Sequence, residues 1–247
     1  MSKHSRPGVE AAVRLAKQTG EKELWECIEG QYSAMIHDKG GSKLTNLDTF
    51  CQSLGDKIRE GSYTLSKADF LQVIDWKFTK GKPRHALKKF LNQNSEEDVK
   101  QVWNEAARLA QDNNVKGAID AFSTLKGVGP ATASAFLSLY RPETFAFMDD
   151  EVIECLHEGK RGYTTKIYLN MNEKCAAIGN ALDWTPRKVG RALWTAARIH
   201  ASGGDDLTLK AKVDMSTTGI SSGKQKRSKT SNPSPLQSRK KRKLLDK

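Results

Sequence analysis

The sequence predicts an all-α fold, a multi-helix body over residues 1–202 followed by a disordered basic tail over residues 203–247. Three observations predict it. Apolar residues recur at three- and four-residue spacing through the first two hundred positions, and alternating strand patterns are nowhere evident. After Ser202-Gly203-Gly204 the composition turns to Ser, Thr, Gly, Pro and Lys, too poor in apolar side chains for burial to offset chain entropy. The 247 residues suffice for one large or two modest domains with a sizeable core.

After a short polar arm, residues 9–17 form a first helix with Val9, Ala12, Val13 and Leu15 or Ala16 inward. Residues 21–37 continue through Leu24, Trp25, Ile28, Tyr32 and Met35 until Asp38-Lys39-Gly40-Gly41 stops them. Helices follow over 47–59, ended by Gly61, and over 66–76. Residues 76–84 then read as a cationic loop, with Lys77, Lys80, Lys82, Arg84, Trp76 and Phe78 around Gly81 and Pro83. Its rings are best taken as core anchors, whereas Lys80, Lys82 and Arg84 suit phosphate contact.

A short helix over 85–91 precedes Ser95-Glu96-Glu97-Asp98, a capping box opening the helix that carries Val99, Val102, Trp103 and Ala106. Asn113 starts the next helix. Residues 130–140 are almost wholly apolar or small, which predicts a helix buried at the centre. Further helices are expected over 151–157 and 167–182, and a last one over 187–200. Its Lys and Arg lie mostly outward.

Between two of these helices stands Leu125-Lys126-Gly127-Val128-Gly129-Pro130. Two glycines around one valine make a tight turn that a partner can approach closely, and Pro130 suits the first helical position because its missing N–H has no intrahelical use. Such a turn leaves backbone N–H groups at the positive end of a helix dipole, an anion site. Leu125 and Val128 pin it to the core. Twenty residues after Gly129 come Asp149 and Asp150, preceded by the apolar Phe145-Ala146-Phe147-Met148. Each aspartate also fits the cap of the following helix, and capping does not exclude catalysis.

These residues resemble the helix-hairpin-helix motif as it occurs in the DNA glycosylase superfamily of that name. The hairpin unit spans 115–140, and the Asp-x-x-Val shape recurs in Asp149-Asp150-Glu151-Val152. The resemblance covers roughly residues 113–200 and is strongest over 125–152. It implies that Gly127, Val128 and Gly129 hold a DNA phosphate, that Thr132 takes the motif's small or hydroxyl position, and that Asp149, or else Asp150, is the catalytic acid. Two departures bear on the chemistry. Ala131 stands where lyase members carry a nucleophilic lysine, so a hydrolytic enzyme without strand cleavage is expected, and the four-cysteine iron-sulfur loop of some members is absent.

The net charge of +12 is unevenly placed. Residues 216–247 hold ten Lys and Arg against one acid, leaving thirty-one against twenty-eight in residues 1–215. Basicity is therefore mainly a property of the tail and cannot by itself argue that the body binds DNA. The tail clusters Lys224-Gln225-Lys226-Arg227 and Arg239-Lys240-Lys241-Arg242-Lys243 resemble a bipartite nuclear localisation signal, or serve as a generic polycation. Ser234-Pro235 between them is a phosphorylation candidate. Cys27, Cys51, Cys155 and Cys175 lack metal-site spacing, so reduced core thiols, no metal and no cofactor are expected. No apolar run is long enough for a membrane span.

The expected function is a nuclear DNA-binding protein resembling a monofunctional base-excision DNA glycosylase, with duplex DNA and a nuclear import receptor as partners. The competing expectation keeps the fold and the backbone grip without catalysis, as a DNA-binding or scaffold module. A third makes the hairpin a plain interhelical turn in a body that binds only protein.

Overall fold

Short polar signals set where the helices begin. In the computed structural model, which describes residues 7–61 and 63–201, the Ser66 hydroxyl accepts from the Asp69 N–H at 3.1 Å while the Asp69 carboxylate accepts from the Ser66 N–H. Ser95 and Asp98 do the same at 3.0 and 2.9 Å. Each reciprocal pair satisfies two amides that the first helical turn leaves without partners.

The described residues are helical without a strand, in the order α1 (Pro7–Ala16), α2 (Lys22–Gly30), α3 (Tyr32–Arg59), α4 (Lys67–Lys80), α5 (His85–Leu91), α6 (Glu96–Gln111), α7 (Val115–Phe122), α8 (Pro130–Tyr140), α9 (Asp150–Leu156), α10 (Thr165–Leu182) and α11 (Pro186–Ala201). The all-α class stands. The tail, with its localisation clusters, lies outside the described residues.

Three boundaries differ from expectation. The helix expected over 21–37 is split at Gly30-Gln31, where the Gln31 N–H bonds the Ile28 carbonyl three residues back and ends α2. Gly40 and Gly41 break α3, as expected, but only locally. Gly41 takes φ +57°, open to a residue without Cβ, and the helix resumes at once. Finally, α4 runs on to Lys80 until Gly81 stops it, so Trp76, Phe78 and Lys80 belong to its last two turns and not to a loop.

Helix α8 is the centre, buried from Thr132 to Tyr140 and packed by α3, α4, α6, α7 and α10. Phe136 stacks on Phe70 at 5.3 Å and meets Phe122 at 4.8 Å, while Trp103 packs edge-on against Phe122 and Tyr140. Each such ring contributes about 1.5–3 kcal/mol by burial, which fixes α4, α6 and α7 around one axis. Helix α11 closes the body against α1, α9 and α10.

Candidate functional site

The turn between α7 and α8 is held by one buried side chain and by its own apolar residues. Lys126 donates its N–H to Asn94 Oδ1 at 2.9 Å, and Asn94 Nδ2 donates in turn to the carbonyls of Lys126 and Leu91 at 3.0 and 2.9 Å. Asn94 is buried, so its amide clasps the turn to the segment after α5. Leu125 and Val128 are buried as expected, and the Val128 N–H bonds the Leu125 carbonyl.

Gly127 has φ +79°, which favours glycine, and a Cβ there would come within 3.2 Å of Phe90 and Leu91, so these would have to give way slightly. Gly129 caps α8 with nothing near its missing side chain. Both glycines are partly exposed, and their N–H groups have no hydrogen-bond partner among the described residues. Thr132, by contrast, is buried at 6% exposure, so it packs the turn and does not line its open edge.

Beside the turn lies α5, exposed along nearly its whole length. Its Phe90 is 50% exposed, next to Lys88 and Lys89. The loop before it exposes Lys82 and Arg84, as expected. The Arg84 guanidinium lies 5.7 Å from the centre of the Tyr163 ring, bringing the cationic 159–166 loop to the same neighbourhood. Tyr163 donates to Asp150 Oδ1 at 2.7 Å and Arg161 pairs with Asp150 Oδ2 at 3.0 Å. Asp150 is thus committed to this loop and does not line the crevice that holds Asp149.

Lys80 does not reach the surface. It is 3% exposed, and its ammonium pairs with the Asp149 carboxylate, itself 6% exposed. The expectation of a phosphate contact at Lys80 is therefore corrected. Helix α4 continues through this residue and carries it inward on the same side as Trp76, one turn earlier. Its Nζ stands 3.9 Å above the Trp194 ring and 5.4 Å from that of Phe147, with Trp76 and Tyr32 at 6.0 Å.

The segment leading to Asp149 is tied down by two side chains. The Ala146 N–H donates to Asn172 Oδ1 at 2.7 Å and the Met148 N–H to Ser134 Oγ at 3.0 Å. Ser134 lies five residues into α8 from Gly129, roughly 7 Å along the helix axis. The backbone just before Asp149 is therefore tied to the first half of α8. Asp149 occupies the cap position of α9, yet its side chain makes no capping hydrogen bond. Burial pushes its carboxyl pKa up, the Lys80 charge pulls it back, and Glu151 pushes it up again. Burial likewise lowers the Lys80 ammonium, against the raising effect of Asp149.

Asp48 supports the walls. Its Oδ1 accepts from the Tyr32 hydroxyl at 2.8 Å and from Trp76 Nε1 at 2.9 Å, and its Oδ2 from Gln52 at 2.7 Å. The rings are thereby fixed around the ion pair. The crevice itself is only about 10 Å³, room for no more than one water, so anything larger enters only if the pair opens. Arg187 and Arg191 line it and also line an adjoining cleft of about 420 Å³.

Sequence reasoning missed Asp48, Tyr32, Trp194 and Asn94, whose partners are distant in the chain, and Phe90, read only as part of a short helix. A signal did exist for Lys80, four residues after Trp76 and so on one helical face with it. No disulfide joins the four cysteines, and among the described residues no group of three or more His, Cys, Asp and Glu could hold a metal. Nor is any described helix long and apolar enough to cross a membrane. Comparison with protein-family models, with curated proteins and with solved structures finds no match.

Proposed function

We propose that this protein grips duplex DNA through the 125–134 hairpin and acts on a nucleotide at Asp149, in the manner of a base-excision DNA glycosylase. The observation that carries the reading is a buried carboxylate, walled by aromatic rings, whose backbone segment is tied to α8 about one and a half turns from a glycine turn with unpartnered amides. Amides at a helix start suit a backbone phosphate. Exposed Lys89 adds a cation next to Phe90, Lys82 and Arg84 add two more at the other end of α5, where Lys88 is paired with Asp75, and Phe90 supplies a ring for stacking on a base. A carboxylate in a dry site activates water or stabilises positive charge developing on the sugar. The base would be flipped toward the crevice, and the Lys80–Asp149 pair would separate to admit it.

A second reading is favoured by one contact. Ala131 removes the amine from the hairpin, but Lys80 brings another, from α4, to the same carboxylate. With one ammonium proton passed to the Asp149 carboxylate, Nζ attacks the sugar C1′ as the glycosidic bond breaks, and the departing base takes the bond pair and that proton from Asp149.

The test incubates the full-length protein with duplexes bearing uracil, alkylated, oxidised or mismatched bases, then treats them with hot alkali or with borohydride. Base release that leaves alkali-labile sites and no trapped adduct supports the hydrolytic reading. A borohydride-trapped adduct that disappears in K80M supports the amine. DNA retention without release on any substrate rejects catalysis and leaves the module that binds only. No retention, even at low salt, rejects the whole reading.

A further inference from the structure

The cleft of about 420 Å³ adjoining the ion pair is built from α2, α3, α8 and the start of α11. Its charged lining is Arg59, Arg187, Lys188 and Arg191 against Glu29 and Asp56. Two of the cations are answered. Arg191 pairs with Glu29 at 2.9 Å, and Arg59 pairs with Asp56 while also donating to the Leu139 carbonyl.

The other two are not. Lys188 lies 3.9 Å over the Trp184 ring and makes no ion pair with a described residue. Arg187 donates to Ser138 Oγ at 2.7 Å and likewise has no carboxylate within ion-pair distance among the described residues. Arg187 is partly exposed on the cleft wall, and the burial it does have and the neighbouring Arg191 oppose its charge, partly offset at longer range by Tyr32 and Asp48. The adjacent Arg191 Nε is buried without a hydrogen-bond partner. A half-buried guanidinium with no carboxylate in ion-pair range is unfavourable, and an anion seated against it relieves the penalty.

We propose that this cleft binds a phosphate monoester dianion, held by Arg187 and Lys188 with Arg191 on the wall. The surplus of two positive charges matches a dianion better than the single charge of a backbone diester, and planar guanidinium groups suit phosphate oxygens. The cleft volume lies within the range of small-molecule sites, roughly 300–1,000 Å³. The inference does not depend on the hairpin or on Asp149, so it can stand or fall separately from the DNA reading.

Three sources share this chemistry, and calorimetric titration of the full-length protein at constant ionic strength separates them. The probes are inorganic phosphate, 2′-deoxyadenosine 5′-monophosphate, and one short duplex with either a 5′-phosphate or a 5′-hydroxyl, with chloride as the control anion. The expected result is saturable one-to-one binding of at least one monoester, at least tenfold weaker in R187Q and several-fold weaker in K188Q. K188Q removes a charge at a partly exposed position and keeps the test valid should R187Q fold poorly. A preference for the phosphorylated duplex assigns the site to a DNA end, and tighter binding of the mononucleotide assigns it to a free nucleotide. Absence of saturable binding by every probe overturns the proposal. So does equal affinity in the wild type and the variants, since binding would then lie elsewhere, as on the basic tail.

Discussion

Breaking the Lys80–Asp149 pair should destabilise the fold with opposite pH dependence according to which partner is removed. Both side chains are nearly inaccessible, at 3% and 7% exposure, so the survivor is left as an uncompensated buried charge. Removing one partner of such a pair costs about 3–5 kcal/mol. In D149N the surviving Lys80 loses what raises its pKa and falls further below its unfolded value of about 10.4. The unfolded state then binds the proton more tightly, so D149N gains stability as pH rises toward that value.

In K80M the surviving Asp149 rises further above its unfolded value of about 3.9. The folded state now holds the proton more tightly, so K80M loses stability as pH rises through that window. The double variant K80M/D149N carries no buried charge here and should recover most of the stability. Urea unfolding followed by tryptophan fluorescence at pH 5.5, 7 and 9 measures all three, because Trp76 and Trp194 lie against the pair. Destabilisation below about 1 kcal/mol in both single variants, pH slopes of the same sign, or a double variant as unstable as the sum of the singles would refute the reasoning.

Around the hairpin, N94A should cost about 1–3 kcal/mol, since it removes the buried clasp on Lys126, and thermal melting reads this directly. G127V should cost about 1–2 kcal/mol from its positive φ alone, with more from Phe90 and Leu91, and should weaken DNA retention in gel shifts. F90A should change stability by less than about 0.5 kcal/mol, because the ring is half exposed, yet lower DNA affinity if it stacks on a base. For K82A/R84A the slope of log affinity against log salt should become shallower by about 0.9 for each phosphate the variant no longer neutralises, measured by fluorescence anisotropy.

What the sequence determined by itself was local. The Ser95 capping box, the Pro130 start and the end of α8 at Tyr140 are each written within a few adjacent residues, because a helix end is satisfied by groups one turn away. The apolar and small composition of 130–140 on every side likewise announced a central helix, since a helix with no polar face must be covered all round. The glycine turn was legible because its two glycines and Pro130 are neighbours in the chain.

Tertiary structure alone decided what those residues face. Lys80 and Asp149 are separated by 69 positions, and charge composition cannot say which of several lysines will be carried inward. Here the packing of α4 against α3 and α8 decides it, placing Lys80 among rings drawn from α3, α4, α11 and the segment before α9. The packing of α9 against α1, α10 and α11 commits Asp150 to Arg161 and Tyr163 while turning Asp149 inward, a distinction invisible in two adjacent aspartates. Tertiary packing also gathers Arg59, Arg187, Lys188 and Arg191 from two helices into one cleft. Local hydrogen bonds are specified by neighbours along the chain, whereas a buried charge finds its environment only when distant helices close around it.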